Sequence, residues 1–177
     1  MPTPWVLFPR LHLFEIEDQS WCPSWLREHS HKALVRTWRM STSVLGSPAV
    51  QACNLLISQL GGLANTSKYT FVDACAGAGG PTPLIEQHMN EKLKSAGLNT
   101  VRFILTDLWP DLKAWKDICK KEHIEYVEQP IDATKAVRVA GENGRECRMF
   151  NLSFHHFDDA AAGKVLLSAV ESADAFV

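Results

Sequence analysis

The hydrophobic pattern changes period near residue 68. Before it, apolar residues recur at helical spacing; after it, short apolar runs alternate with helical stripes. In the first part, Pro23-Ser24-Trp25-Leu26-Arg27 opens a helix that carries Leu34, Val35 and Trp38 at later turns. Ser47-Pro48 suits the start of a second helix, because the serine oxygen can accept an end N–H and proline has none to lose. Val50, Cys53, Leu56, Ile57 and Leu60 form its apolar stripe, and Gly61-Gly62 stops it. Asn65-Thr66-Ser67 reads as a turn. Ahead of these helices, residues 6–8 and 11–16 read as extended segments. They are expected to lie across the main body and bury Trp5, Phe8, Leu11 and Phe14, which would otherwise form a large apolar surface. The tryptophans of this half predict core packing of a helical cap, or an aromatic wall facing an organic substrate.

From Tyr69 the chain alternates strand and helix. Tyr69–Asp73 is rich in β-formers. A helix is predicted from about Pro81 to Ala96, with Leu84, Ile85, His88, Met89 and Leu93 at helical spacing and Gly97 ending it. Val101–Thr106 is an apolar run of the kind buried in parallel sheets. Asp111 caps a short helix with Leu112, Trp115, Ile118 and Cys119 on one face. Ile124–Val127 is a third strand, Glu142–Arg145 a turn, and Arg148–Ser153 a fourth strand. Asp158 or Asp159 caps a helix carrying Val165, Leu166, Ala169 and Val170, and Asp174–Val177 begins a fifth strand. Such alternation predicts an α/β architecture: a Rossmann-like, mostly parallel sheet with helices on both faces. Residues 67–177 form this core, and residues 1–66 are an N-terminal extension, largely a helical cap.

Composition narrows the class. Hydrophobic residues make up 46% and charged residues 21%, ordinary values for a globular chain. The net charge of −2 provides no field for nucleic acid, and no basic run interleaved with aromatics appears. Five scattered cysteines without C-x-x-C spacing argue against a zinc site or disulfide framework and for a reducing, cytoplasmic setting. The N-terminus has prolines at 2, 4 and 9 and no basic start, unlike a signal peptide. No apolar run approaches ~20 residues, so no membrane span is expected. The seven histidines are too scattered to suggest a metal site.

The candidate chemistry gathers after the first strand. Ala76-Gly77-Ala78-Gly79-Gly80 has almost no side chain and runs into a helix start, where unpaired N–H groups face outward. Gly77 and Gly79 match the first two positions of a dinucleotide fingerprint, but position 82 is Thr rather than Gly or Ala. In open α/β sheets, ligands bind beyond the carboxyl ends of the strands. Here those ends carry Asp73 with the glycines, Asp107, Asp132-Ala133, and Asn151 and Ser153 followed by His155 and His156. Each has a structural alternative: Asp107 as a turn former, Asp132 as a cap, Asp73 as a brace for the glycine loop, the histidines as packed or solvated groups.

The order Asp73-Ala74-Cys75-Ala76-Gly77-Ala78-Gly79 resembles the D/E-x-G-x-G motif of class I S-adenosylmethionine (SAM) dependent methyltransferases. The whole segment from Tyr69 to Val177 is similar to that family. Residues 10–27 and 150–159 also look like a group of fungal methyltransferase-like proteins. The resemblance implies that SAM is the cofactor. Asp73, Ala74, Cys75, Ala76, Gly77 and Gly79 would pass its methionine part. Asp107, with Leu108 beside it, would hold the ribose hydroxyls; Asp132 and Ala133 the adenine; and Asn151 and Ser153 the methionine end. His155 or His156 would be the catalytic base for an acidic hydroxyl of a small organic substrate, in secondary metabolism for example. The family sheet has seven strands, so the resemblance implies a core incomplete at its C-terminal end. Its open edge would suit a homodimer or a protein partner. Two other readings follow from the same fold: a binding or regulatory protein that has lost methyl transfer, and a scaffold for cyclisation or dehydration.

Overall fold

The computed structural model describes residues 16, 19, 21–41, 46–120, 123–141 and 144–177. At its centre is β1 (Tyr69–Ala74), whose six residues are all buried. Burial on both faces is what a central parallel strand requires. The other strands are β2 (Phe103–Thr106), β3 (Ile124–Tyr126), β4 (Arg145–Met149) and β5 (Ala175–Phe176). All pair in parallel in the order β3-β2-β1-β4-β5. The order reverses at β1, where strands two and four leave in opposite directions. That junction is the topological switch point where ligands bind in such sheets.

Alternation along the strands sorts residues to two faces. One face presents Phe71, Phe103, Leu105, Cys147 and Met149 and packs into the main hydrophobic core. Its cover comes from α2 (Pro48–Gln59), α4 (Thr82–Ser95) and α5 (Leu112–Cys119), through Cys53, Leu56, Ile85, Met89, Leu93 and Trp115. Phe71 and Phe103 stack at 4.9 Å between ring centroids. The other face presents Val72, Ile104, Glu146 and Arg148, and is covered by residues 133–140 and α6 (Asp159–Ser172). Ser168 of α6 donates to the Ala136 carbonyl there. The α/β core with helices on both faces is therefore present.

The predicted caps hold. Ser47 accepts from the Val50 N–H, Asp111 from Ala114 and Asp158 from Ala161. Asn65 and Thr66 differ from the expected turn: they fall in a one-turn helix, α3 (Leu63–Thr66), because their side chains donate back to the Leu60 and Gly62 carbonyls. The fourth strand begins three residues earlier than expected. Two of its charged residues, Glu146 and Arg148, are buried as an ion pair of 2.6 Å. Glu146 also accepts the Val139 and Ala140 N–H groups, so its charge is neutralised and its oxygens are satisfied. The strand ends at Met149, and Leu152 takes a left-handed φ of 55° that an extended strand excludes. Asn151 and Ser153 therefore lie in the connection after β4.

The N-terminal part is sorted differently from expectation. Helix α1 (Ser24–Arg39) has no buried residue. Trp38 is half-buried against the core, but Trp21 and Trp25 are 63% and 69% exposed. Core packing thus accounts for Trp38 and not for the other two. The expected burial of Trp5, Phe8, Leu11 and Phe14 falls outside the described residues. Among the described residues no helix is long and apolar enough to cross a membrane.

Candidate functional site

Asp73 is the last but one residue of β1 and is buried. One oxygen accepts the Thr82 hydroxyl at 2.5 Å; the other accepts the Asn151 amide at 3.0 Å. Asp73 thereby ties the end of β1 to the start of α4 and to the connection after β4. This explains the departure from the dinucleotide fingerprint. Position 82 is Thr because its hydroxyl takes the carboxylate. Burial pushes the Asp73 carboxyl up to about 7; the Thr82 and Asn151 hydrogen bonds pull the other way, and the Asp107 charge adds to the rise.

The glycine turn follows. Cys75 has φ of 65°, in the left-handed region that a β-carbon disfavours. Counting D-x-G-x-G from Asp73 puts Cys75 at the first glycine position and Gly77 at the second. The backbone keeps the glycine conformation although the residue is cysteine. Burial, then the Asp107 and Asp73 charges, push its thiol up to about 12. It stays protonated, as a packing group near Ser153, with Asp73, Asp107 and Asp132 all within electrostatic reach. Three strand ends thus converge around one side chain.

Gly77 is held from both sides. Its N–H donates to Asp107 Oδ2 at 2.8 Å, and its carbonyl accepts the indole N–H of Trp115 at 2.8 Å. Trp115 was legible in the sequence as an apolar-face residue of α5; its N–H was not. Asp107 Oδ1 accepts the Trp109 N–H at 2.8 Å. Burial raises the Asp107 carboxyl; the N–H groups of Trp109 and Gly77, and the charges of His31 and His156, oppose the rise. A carboxylate offers about four lone-pair directions. Two are taken by backbone, which leaves capacity for a vicinal diol. At Gly79 a β-carbon would stand 2.5 Å from Ile118 Cδ1 of α5, which can shift, and the φ of 91° is what calls for glycine. Gly77 faces α1 instead, where a β-carbon would meet His31 Nε2 at 3.8 Å.

The remaining candidates sort as follows. Asp132 accepts both the backbone N–H and the hydroxyl of Thr134, capping the 3₁₀ turn at Ala133–Lys135. These bonds hold its carboxyl below the usual range. Ala133 is buried, and Leu108 is exposed beside Asp107. His155 and His156 lie in a 3₁₀ turn, with ring centroids 4.0 Å apart. Phe154 anchors that turn between Phe150 and Phe157, at 5.1 and 6.2 Å. The charge of His156 acts on Asp107. Sequence reasoning missed Thr82, Trp115 and His31 as parts of this site. The Thr at the third glycine position was the signal for the first; His31 gave none.

No protein-family model matches the sequence, and no curated protein matches it. A solved structure matches in shape: an O-methyltransferase family protein from Burkholderia thailandensis, with a TM-score of 0.55 and 19% identity over 84% of this chain. This chain spans 38% of the length of that one. At such identity the likeness is one of fold. The chain has a Rossmann-like fold of the kind that this O-methyltransferase family protein adopts.

Proposed function

We propose that the chain binds SAM over the glycine turn and transfers its methyl group to a small organic molecule. The observation that carries this reading is the Asp107–Gly77–Trp115 junction at the switch point. There a partly buried carboxylate with spare acceptor capacity flanks a backbone that lacks side chains. The residues suit the cofactor. Asp107 would accept the ribose hydroxyls, Gly77 and its neighbours would leave room for the methionine part, and Asp132 and Ala133 would border the adenine. Asn151, already bound to Asp73, would contribute through the shape of the β4 connection. When bound, the cofactor supplies an electrophilic methyl group on a sulfonium. The chain would then position an acceptor in line with it. His155 or His156, at the mouth, would take the proton of an acceptor hydroxyl at a ring nitrogen. Leu108, Trp109 and Leu152 lie exposed after β2 and β4 and would give that mouth an apolar rim for an organic acceptor.

Calorimetric titration with SAM and with S-adenosylhomocysteine tests the reading. Micromolar binding is expected, weakened in Asp107→Ala by about 1.5–3 kcal/mol, the scale of hydrogen bonds to a charged group. Thermal unfolding of the same variant checks that the freed Gly77 N–H has not disrupted the fold. An unchanged affinity would remove Asp107 from the site. No binding by well-folded protein would overturn the cofactor assignment.

A further inference from the structure

Over the open face of Gly77 there is room for a methyl group in ordinary contact with α1. The imidazole of His31 stands over it, with Nε2 and Cε1 at 3.8 and 3.9 Å from the position of a β-carbon. A ligand crossing the bare Cα of Gly77 would need that volume. His31 also draws on the Asp107 carboxylate, the group proposed to hold the ligand. It belongs to α1, outside the parallel-sheet core. We propose that α1 is a gate over the glycine turn, with His31 as its latch on Gly77, and that an incoming ligand displaces the imidazole. The inference rests on the cofactor reading for the identity of that ligand.

Two further observations say which part moves. The floor is fixed, because Gly77 is hydrogen-bonded through both its N–H and its carbonyl. The helix above it is lightly seated. No residue of α1 is buried, and Trp25 at its start is exposed. Its main apolar contact, Trp38, has a buried indole N–H with no partner among the described residues. An unpaired buried donor is costly, and lifting α1 would let water reach it. The closed position thus has a fault that opening repairs.

The test uses the full chain and two readouts. Hydrogen exchange without ligand should quicken at residues 24–39 in His31→Ala, with β1 and α4 unchanged. Unaltered exchange in α1 would overturn the latch whatever the cofactor proves to be. Titration with S-adenosylhomocysteine should show about fivefold tighter binding to His31→Ala, since the site no longer waits for a minor open state. His31→Trp should bind more weakly. A loss of affinity in His31→Ala would make His31 a ligand contact and overturn the gate. If neither wild type nor His31→Ala binds, while α1 is loosened as expected, the cofactor reading fails and the latch stands on the exchange result.

Discussion

Asp73 couples the site to pH. Its carboxyl titrates near 7 in the folded chain, above its unfolded value of 3.8. The folded state therefore holds a proton that the unfolded state has lost. The stability this contributes is complete below the unfolded value and is lost as pH rises through about 7, levelling off once both states are ionised. The loss is on the order of 4 kcal/mol, at about 1.4 kcal/mol per tenfold change in proton affinity. Asp73→Asn mimics the neutral acid: its amide can donate to the Thr82 hydroxyl while its oxygen accepts from Asn151. Chemical unfolding from pH 4 to 8 should show a falling stability for wild type and a flatter profile for the variant. Equal slopes would place the titration elsewhere. Cys75 gives a second residue-scale expectation. Because its φ is 65°, Cys75→Gly should be more stable than Cys75→Ala by about 1 kcal/mol, the reverse of the usual ranking. Denaturant midpoints decide it. Both residues could be found in the sequence, since a strand end and a glycine motif mark them. Their roles could not, because those roles depend on Thr82, Asn151 and a backbone angle that only the folded chain brings together.

Among elements, α5 packs directly on the glycine turn. Gly79 has φ of 91°, and Ile118 Cδ1 fills the space where its side chain would be. Gly79→Ala meets two obstacles. The methyl clash is at the far end of a flexible side chain and can be relieved. The backbone angle cannot, and costs on the order of 1–3 kcal/mol. Adding Ile118→Val should therefore recover only part of the loss, as read from thermal unfolding; full recovery would make the clash the whole effect. The elements themselves were mostly legible. Helices α2, α5 and α6 announce their starts with Ser47, Asp111 and Asp158. Strand β4 was expected only from Arg148, because Glu146 looks like a surface residue until it is seen to pair with Arg148.

For the whole molecule, β5, which ends the sheet among the described residues, sets the expectation. Phe176 and Val177 at β5, and Leu166, Leu167 and Val170 on α6, are exposed. An uncovered strand edge with apolar neighbours invites pairing. Sedimentation of the 177-residue chain across micromolar concentrations should show concentration-dependent association, reduced by Phe176→Lys. A monomer throughout would remove the edge as a self-association surface. Finally, β1 lies between a partner that follows it closely and one that arrives much later: Phe71 aligns with Phe103, but Tyr69 aligns with Arg145. The Asp73–Asn151 bond closes a loop of 78 residues. Loops of that size form slowly, so β1 and β2 can pair early while β4 docks late. The switch-point site, which needs both neighbours of β1, then has no partly folded version. A chain stalled before β4 docks would have the glycine turn but not the brace that shapes it, and ligand binding would report complete folding.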